Sequence, residues 1–233
     1  MSLTNDLEAE VKGILAPAWT TRNGNVVPEA EDVGLGNDAV KLEEAVVLYA
    51  DLADSTELVQ GYYDWFAAEV YKSFLHCASK IIKANDGVIT AFDGDRIMAV
   101  FLGDSKRTNA ARTALKIFGG VEKIIQPAIQ ARYPSNTFQV RHAAGVDMSK
   151  LFVARTGVRG ANDLVWVGQA ANYAAKLSSL RDGYYRSFIT EPVYESLAKQ
   201  SKVDEAGDTD MWEPWWWEER STLIYRSSWW WMP

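Results

Sequence analysis

Cysteine and histidine are scarce in this chain. Cys77 is the single cysteine, so no intrachain disulfide can form. The two histidines, His76 and His142, are far apart in sequence, and no Cys/His spacing typical of a zinc site accompanies them. We therefore expect no zinc centre, a small buried apolar role for Cys77, and structural roles for both histidines.

Long apolar runs are missing, and so is a basic leader. No stretch of about 18 apolar residues occurs, the length that a membrane-spanning helix needs. The segment MSLTNDLEAEVKGILAPAW has no basic stretch followed by a long apolar one, as a signal peptide would have. These features predict a cytoplasmic protein with no membrane partner.

Positive charge is also in short supply. The chain has 24 Lys and Arg residues against 31 Asp and Glu residues, a formal net charge of −7, and no block of basic residues. A protein that grips nucleic acid by its phosphates needs such a block, so we expect no nucleic-acid partner. An anionic ligand would require local positive charge or a metal ion.

The residues that are present predict one α+β domain. Apolar residues make up 48% of the 233 residues, enough for a sizeable core. Apolar spacing predicts strands at 44–54, 87–92, 96–103, 138–149, 150–155, 163–168, 186–190 and 221–228. It predicts helices at 5–15, 55–85, 105–133, 169–180 and 191–200. The order β-α-β-β-α-β, followed by further β-α-β elements, indicates a ferredoxin-like (split βαβ) core with additions.

Two aspartates are predicted to meet at one edge of this sheet. The first and third strands of a split βαβ core are antiparallel neighbours, so Asp51, near the end of the first, lies beside Asp95, at the start of the third. Two such carboxylates repel each other unless one is protonated or a cation lies between them, and oxygen ligands favour Mg²⁺ or Mn²⁺. The alternative is that Asp93 and Asp95 only form the hairpin turn.

Four segments in order resemble the catalytic domain of class III nucleotide cyclases. They are VVLYADLADST, DGVITAFDGDRIMAVF, AAGVDMSKLFVARTG and VWVGQAANYAAKL, and the match covers roughly residues 44–200. The resemblance implies that Asp51, Asp95 and the Leu52 carbonyl hold two divalent cations, Mn²⁺ or Mg²⁺. It also implies a triphosphate on the loop of Ala53, Asp54, Ser55 and Thr56, where a helix amino end would favour an anion.

The resemblance further implies a homodimer with shared active sites. Asn172 would orient the ribose, and Lys176, which replaces the arginine of the family, would stabilise charge on the phosphoryl oxygens. Both would come from the other subunit. Their spacing of four puts them on one helix face, and the alanines between and before them would let the backbone approach a partner closely.

The positions that read a purine base in the family are changed here. Ala91 replaces a lysine and Val165 replaces an aspartate, while Tyr49 and Arg96 flank the two metal aspartates. This pattern resembles the pyrimidine cyclases of the Pycsar antiphage systems, which make cyclic UMP or cyclic CMP. It implies UTP or CTP as the substrate, with UTP favoured, and a product that a separate effector recognises.

Two alternatives stay open at this point. One is a purine cyclase with an atypical base pocket, and the other is a catalytically degenerate cyclase fold that serves as a binding module. The family's lysine for the triphosphate has no clear counterpart; the candidates are Arg220, Arg155 and Arg159.

We divide the chain into an N-terminal extension and linker (1–40), a catalytic domain (41–200) and a tryptophan-rich C-terminal hairpin that completes the domain (201–233). The last segment contains seven of the ten tryptophans. It could pack over the sheet or the dimer seam, or it could dock another protein or nucleobases.

Overall fold

The computed structural model describes residues 2–233 and consists of one mixed sheet with helices on both faces. The strands are β1 (Thr20–Asn23), β2 (Asp38–Leu52), β3 (Val88–Asp93), β4 (Arg96–Phe101), β5 (His142–Val158), β6 (Ala161–Val167), β7 (Ser187–Thr190), β8 (Glu213–Trp217) and β9 (Thr222–Ser227). The α-helices are α1 (Leu3–Leu15), α2 (Ser55–Gly61), α3 (Asp64–Ala84), α4 (Lys106–Gly120), α5 (Gln126–Arg132), α6 (Gln169–Leu177) and α7 (Glu191–Glu195). A π-helical turn, Val121–Ile125, joins α4 to α5. Within residues 2–233, no helix is long and apolar enough to cross a bilayer.

The strand order confirms the predicted core. It is β3-β4-β2-β5-β7-β9-β8, with β1 added beside β2 and β6 beside β5. β2 is antiparallel to β4, and this pairing places Asp51 opposite Arg96. The end of the first core strand therefore lies beside the start of the third, as the topology predicted.

The β3–β4 hairpin is closed by the Asp-Gly-Asp segment. Asp93 pairs with Arg96, which leaves Gly94 and Asp95 as the two turn residues. Gly94 has φ +60°, a conformation that glycine adopts without steric cost at the first position of a hairpin turn. The turn thus fixes Asp95 at the edge where β2 ends.

Helices α3 and α4 cover one face of the sheet. Phe66, Val70, Phe74 and Ala78 recur every four residues on α3 and are all buried, which defines its apolar stripe. They pack against the even-numbered residues of β2, from Val46 to Leu52. Odd-numbered β2 residues, including Tyr49 and Asp51, therefore point to the opposite face.

Helix α6 covers that opposite face and corrects one prediction. Ala170, Ala171 and Ala174 are buried against β2 and β5 of the same chain, so these alanines serve close packing within the subunit and not the approach of a partner. A side chain at Gly145 on β5 would collide with the Ala174 carbonyl oxygen, so a glycine is needed for this close approach.

Several strand boundaries differ from the predicted ones. The segment 150–155 is not a separate strand, because β5 runs unbroken from His142 to Val158. β2 begins at Asp38, and β1, which lies in a stretch expected to be linker, pairs with it in parallel. The sheet therefore begins before residue 41. The stretch 55–85, predicted as one or two helices, forms two, and the break follows Gly61.

Residues after 200 extend the sheet and cover a helix. β9 pairs with β7, and β8 pairs with β9 in a hairpin. Beyond β9, the Trp231 N–H donates to the Leu115 carbonyl of α4 at 3.2 Å. Trp212 and Trp217 are buried, whereas Trp216 is half exposed.

Candidate active site

Asp51 is a buried carboxylate near the carboxyl end of β2. Only 8% of the residue is exposed to solvent. Burial raises the pKa of its carboxyl group; the charge of Arg96 opposes this rise, and the charge of Asp95 adds to it. Asp51 pairs with Arg96, the residue that follows Asp95, so the two carboxylates lie at the same edge of the sheet.

One carboxylate oxygen of Asp95 lacks a hydrogen-bond partner among the described residues. This oxygen, Oδ2, is buried. A buried, unpaired carboxylate oxygen is costly, and a second carboxylate nearby increases the cost. A hard divalent cation would relieve both, so the residues present fit such an ion.

Few groups at this edge can act as metal ligands. No group of three or more His, Cys, Asp or Glu side chains able to hold a metal forms within residues 2–233. The edge offers Asp51, Asp95 and the Leu52 carbonyl. Mg²⁺ is usually bound through one or two carboxylates together with water and substrate phosphates, and this set leaves room for both.

Two arginines contact the Asp51 carboxylate. The Nε of Arg96 lies 3.4 Å from Oδ1, and the Nη2 of Arg181 lies 3.3 Å from Oδ2. Arg181 also donates to the Leu52 carbonyl oxygen at 3.1 Å. Arg96 thus contacts the Asp51 carboxylate and directly follows the turn that carries Asp95.

The loop after β2 is partly used by the chain itself. The Ala53 N–H donates to the Arg141 carbonyl oxygen at 2.8 Å, so it is not free for a phosphate, contrary to the prediction. Asp54 has φ +60° and pairs with Arg141 at 2.6 Å, and α2 begins at Ser55 as expected. The loop N–H groups from Asp54 to Thr56 remain candidates.

The positions predicted to lie near the nucleobase are on different strands of the sheet. Tyr49, Met98 and Ala91 pair across β2, β4 and β3 in one row. Burial raises the pKa of the Tyr49 hydroxyl, so the ring stays neutral. Val165 is exposed on β6, with β4, β2 and β5 between it and Ala91.

Helix α6 presents Asn172 and Lys176 differently. Asn172 is exposed, whereas Lys176 forms a 2.6 Å ion pair with Glu219 at the β8–β9 turn. Lys176 also lines a cleft of about 340 Å³ together with Arg96 of the same chain. Arg220 lies beside this group, over the Tyr173 ring at 5.8 Å.

The two other candidates for the triphosphate lie elsewhere in the subunit. Arg155 donates to Asn162 at 2.7 Å within the β5–β6 hairpin, and Arg159 lies in the turn of that hairpin. Arg155 is twelve positions along β5 from Ala143, the residue that pairs with Asp51. At about 3.4 Å per residue, Arg155 lies roughly 40 Å along the strand from that end.

Sequence reasoning missed three arginines at the edge that holds Asp51. Arg141 precedes β5, Arg186 precedes β7, and Arg181 lies between α6 and β7. Burial lowers the pKa of Arg186, and the charges of Arg141 and Arg181 contribute to this. The predicted strands 138–149 and 186–190 place Arg141 and Arg186 near one edge of the sheet. No sequence pattern points to Arg181.

Solved structures define the class of protein. A bacterial light-regulated adenylyl cyclase superposes with a TM-score of 0.67 at 19% identity, covering 80% of this chain and 51% of that one. The adenylyl cyclase CyaB from P. aeruginosa gives 0.63 at 19% identity, covering 80% and 95%. The guanylyl cyclase Cya2 gives 0.66 at 14% identity, covering 83% and 95%. The fold is that of a class III nucleotide cyclase domain.

Curated relatives narrow the class to a family, although no family model matches the chain. A protein named uridylate cyclase from Xanthomonas perforans is 49% identical, covering 91% of this chain and 90% of the relative. Another of that name from Burkholderia cepacia is 49% identical over 92% of each, and one from Rhodovulum is 39% identical over 91% of this chain. The chain belongs to the uridylate cyclase family of nucleotide cyclases.

Proposed function

We propose that the protein converts UTP into the 3′,5′-cyclic monophosphate and pyrophosphate, with CTP as the alternative pyrimidine substrate. The 49% identity to uridylate cyclases over nine tenths of the chain carries this proposal. The geometry supports it, because two aspartates meet at one sheet edge and Tyr49 and Arg96 lie next to them.

The reaction is an intramolecular phosphoryl transfer. The 3′-hydroxyl attacks the α-phosphorus. The bond between that phosphorus and the oxygen that it shares with the β-phosphate breaks, and pyrophosphate leaves. Two divalent cations, Mn²⁺ or Mg²⁺, would lower the pKa of the hydroxyl and neutralise the β- and γ-phosphates. Asp51, Asp95 and the Leu52 carbonyl would hold them. The loop N–H groups of Asp54, Ser55 and Thr56 would orient the triphosphate.

The base pocket is proposed to favour a pyrimidine. The Tyr49 ring fills space on the face that carries Asp51, and Ala91 and Val165 offer no polar group to a purine edge. Arg96 would turn from Asp51 toward a base carbonyl, because a donor of this kind fits O4 of uracil. The same donor could serve O2 of either pyrimidine, so the preference for UTP over CTP is proposed from the similarity to uridylate cyclases.

The site is proposed to be shared by two subunits. The resemblance to class III cyclases carries this part, because Asn172 and Lys176 would come from the other subunit in that family. Asn172 is exposed and free to reach a partner, and Lys176 would follow on the same helix face. Arg220 beside Lys176 would be the basic group nearest the triphosphate from that copy.

The product is proposed to act as a second messenger in antiphage defence. This part depends on the resemblance to pyrimidine cyclases of Pycsar systems, in which a separate effector recognises the cyclic nucleotide.

The direct test is incubation of the purified protein with each of the four ribonucleoside triphosphates and Mn²⁺, with products identified by mass. Cyclic UMP as the main product is expected. Asp95→Ala should lower turnover by about a thousandfold, since a metal ion supplies several kcal/mol of transition-state stabilisation. Asp93→Ala, on the same hairpin but exposed, is the matched control and should retain activity.

Other outcomes would change the proposal. Cyclic AMP or cyclic GMP as the main product would indicate a purine cyclase with an atypical pocket. Absence of any cyclic product, in protein that is folded by circular dichroism, would favour a degenerate binding module. Full activity of Asp95→Ala would contradict the role of that carboxylate.

A further inference from the structure

Arg181 bridges helix α6 and the two oxygens at the end of β2. Its Nη1 donates to the carbonyls of Ser178 and Leu180 at 2.9 and 3.0 Å, which anchor the guanidinium beside α6. Its Nη2 donates to the Leu52 carbonyl at 3.1 Å and to Asp51 Oδ2 at 3.3 Å. Four acceptors thus hold one side chain in a single orientation.

The two oxygens that Arg181 contacts on β2 are the ones proposed to hold a divalent cation. A guanidinium at this distance opposes a metal ion on the same oxygens, because both are positive and the guanidinium already uses one lone pair of each oxygen. The Asp51 side chain is 11% exposed, so water screens this competition only in part. A metal ion that binds there is therefore repelled by the Arg181 guanidinium unless that side chain moves away.

We propose that Arg181 is a positioning residue that acts as an internal cation: it occupies the oxygens of Asp51 and Leu52 until metal and nucleotide arrive together. This inference rests on the proposed function. The triphosphate brings the negative charge that the displaced guanidinium needs, and the loop from Asp54 to Thr56 lies directly after Leu52. Arg181 therefore moves from the carboxylate to the triphosphate and supplies a basic group from the same chain, in addition to Arg220 of the other copy. Metal binding becomes dependent on nucleotide.

The first test measures Mn²⁺ binding to the full-length protein without nucleotide, by loss of the electron paramagnetic resonance signal of free Mn²⁺. Arg181→Gln should bind Mn²⁺ about fivefold more tightly than the wild type, because a partly exposed ion pair no longer competes. A structural defect would weaken metal binding, so a gain in affinity separates this role from a packing role.

The second test adds 3′-deoxy-UTP, which lacks the attacking hydroxyl. The order should then reverse, with Arg181→Gln binding the nucleotide more weakly than the wild type in saturating Mn²⁺. For the first test, without nucleotide, Arg141→Gln is the matched control, since it removes one positive charge from the same edge and Arg141 pairs with Asp54, not with Asp51. Its Mn²⁺ affinity without nucleotide should change less than that of Arg181→Gln.

Unchanged or weaker Mn²⁺ binding by folded Arg181→Gln would overturn the inference. So would tighter binding that persists after Asp51→Asn is added, because the ion would then lie elsewhere. Product analysis separates this failure from failure of the proposed function. Cyclic UMP formation with unchanged Mn²⁺ affinity in Arg181→Gln overturns this inference alone, whereas tighter Mn²⁺ binding in a protein that makes no cyclic nucleotide leaves it standing.

Discussion

His142 is a buried imidazole at the start of β5. It is 2% exposed, it lies 5.8 Å from the ring centroids of Phe74 and Phe118, and neither ring nitrogen has a hydrogen-bond partner among the described residues. Burial lowers its pKa to about 3, and the charges of Arg186 and Arg181 contribute. The sequence predicted a structural role, and the environment is one in which the side chain stays neutral.

This burial predicts an acid-sensitive stability. Below the ordinary pKa of 6.5, His142 binds a proton in the unfolded chain but stays neutral in the folded one. Its contribution to the free energy of unfolding is therefore complete above pH 6.5 and is lost as the pH falls toward 3. At pH 5 the loss from this residue amounts to about 2 kcal/mol. Urea unfolding at pH 7.5 and pH 5 should show that His142→Phe loses about 2 kcal/mol less than the wild type over this interval.

His76→Gln serves as the control for this experiment. It replaces a histidine that is exposed on α3, so it separates the effect of burial from the loss of any histidine. An equal loss of stability in His142→Phe and the wild type would contradict the account of His142.

Residues of the candidate site were predictable where local pattern and topology agreed. Asp51 and Asp95 were placed at one edge because a turn signal, two apolar runs and one antiparallel pairing sufficed. Arg181 was not predictable, since its contact with Asp51 joins residues 130 positions apart and its loop has no periodic pattern. The Ala53 N–H was assigned to a phosphate because sequence reasoning could not see the Arg141 carbonyl beside it.

At the scale of elements, the C-terminal segment packs against α4 through main-chain atoms. A side chain on Gly119 would lie well inside van der Waals contact of the Trp231 carbonyl oxygen. The same segment donates from the Trp231 N–H to Leu115, and the Trp230 ring covers Lys123 at 4.4 Å. A glycine in the middle of a helix is costly, and here the close approach explains it.

Gly119→Ala should therefore destabilise the protein despite the better helix propensity of alanine. We expect a loss of about 1–3 kcal/mol in the free energy of unfolding, because the tail must move. Thermal and urea unfolding followed by tryptophan fluorescence will measure it. Gly13→Ala on α1, where a side chain would meet no atom within 4 Å, is the matched control and should not destabilise.

A second pair of variants shows whether the tail is the cause. Deletion of residues 228–233 should be combined with Gly119→Ala, and in that background the alanine should be neutral or stabilising by about 0.5–1 kcal/mol. If Gly119→Ala costs as much without the tail as with it, the contact with Trp231 is not what requires glycine.

Elements were predictable to the extent that their own residues specify them. The hairpin β3–β4 and the helices over 105–133 were expected from turn residues and apolar spacing. β1 was missed because its four residues are all exposed and only pairing with β2 makes them a strand. The break predicted between 149 and 150 in β5 was wrong, because neighbours β2 and β6 hold this segment extended on both sides.

At the scale of the whole molecule, the proposed site draws on residues of several elements. Tyr49, Asp51 and Ala91 lie on β2 and β3, whereas Asn172 and Lys176 lie on α6. Lys176 shares a cleft with Arg96 of its own chain. The helix that carries it could therefore serve its own subunit or a partner, and an experiment that mixes subunits distinguishes the two.

We expect Asp51→Ala and Asn172→Ala proteins, each nearly inactive, to recover activity when mixed and allowed to exchange. A heterodimer has one site with Asp51 from one subunit and Asn172 from the other, while its second site lacks both. Random exchange makes half of the dimers hybrid with one intact site each, so about a quarter of wild-type turnover should return. Mixing Asn172→Ala with the double variant creates no intact site and must give no recovery. If heterodimers verified by mass stay inactive, Asn172 acts within its own chain, and the cleft that Lys176 and Arg96 line in one subunit becomes the place where the nucleotide binds.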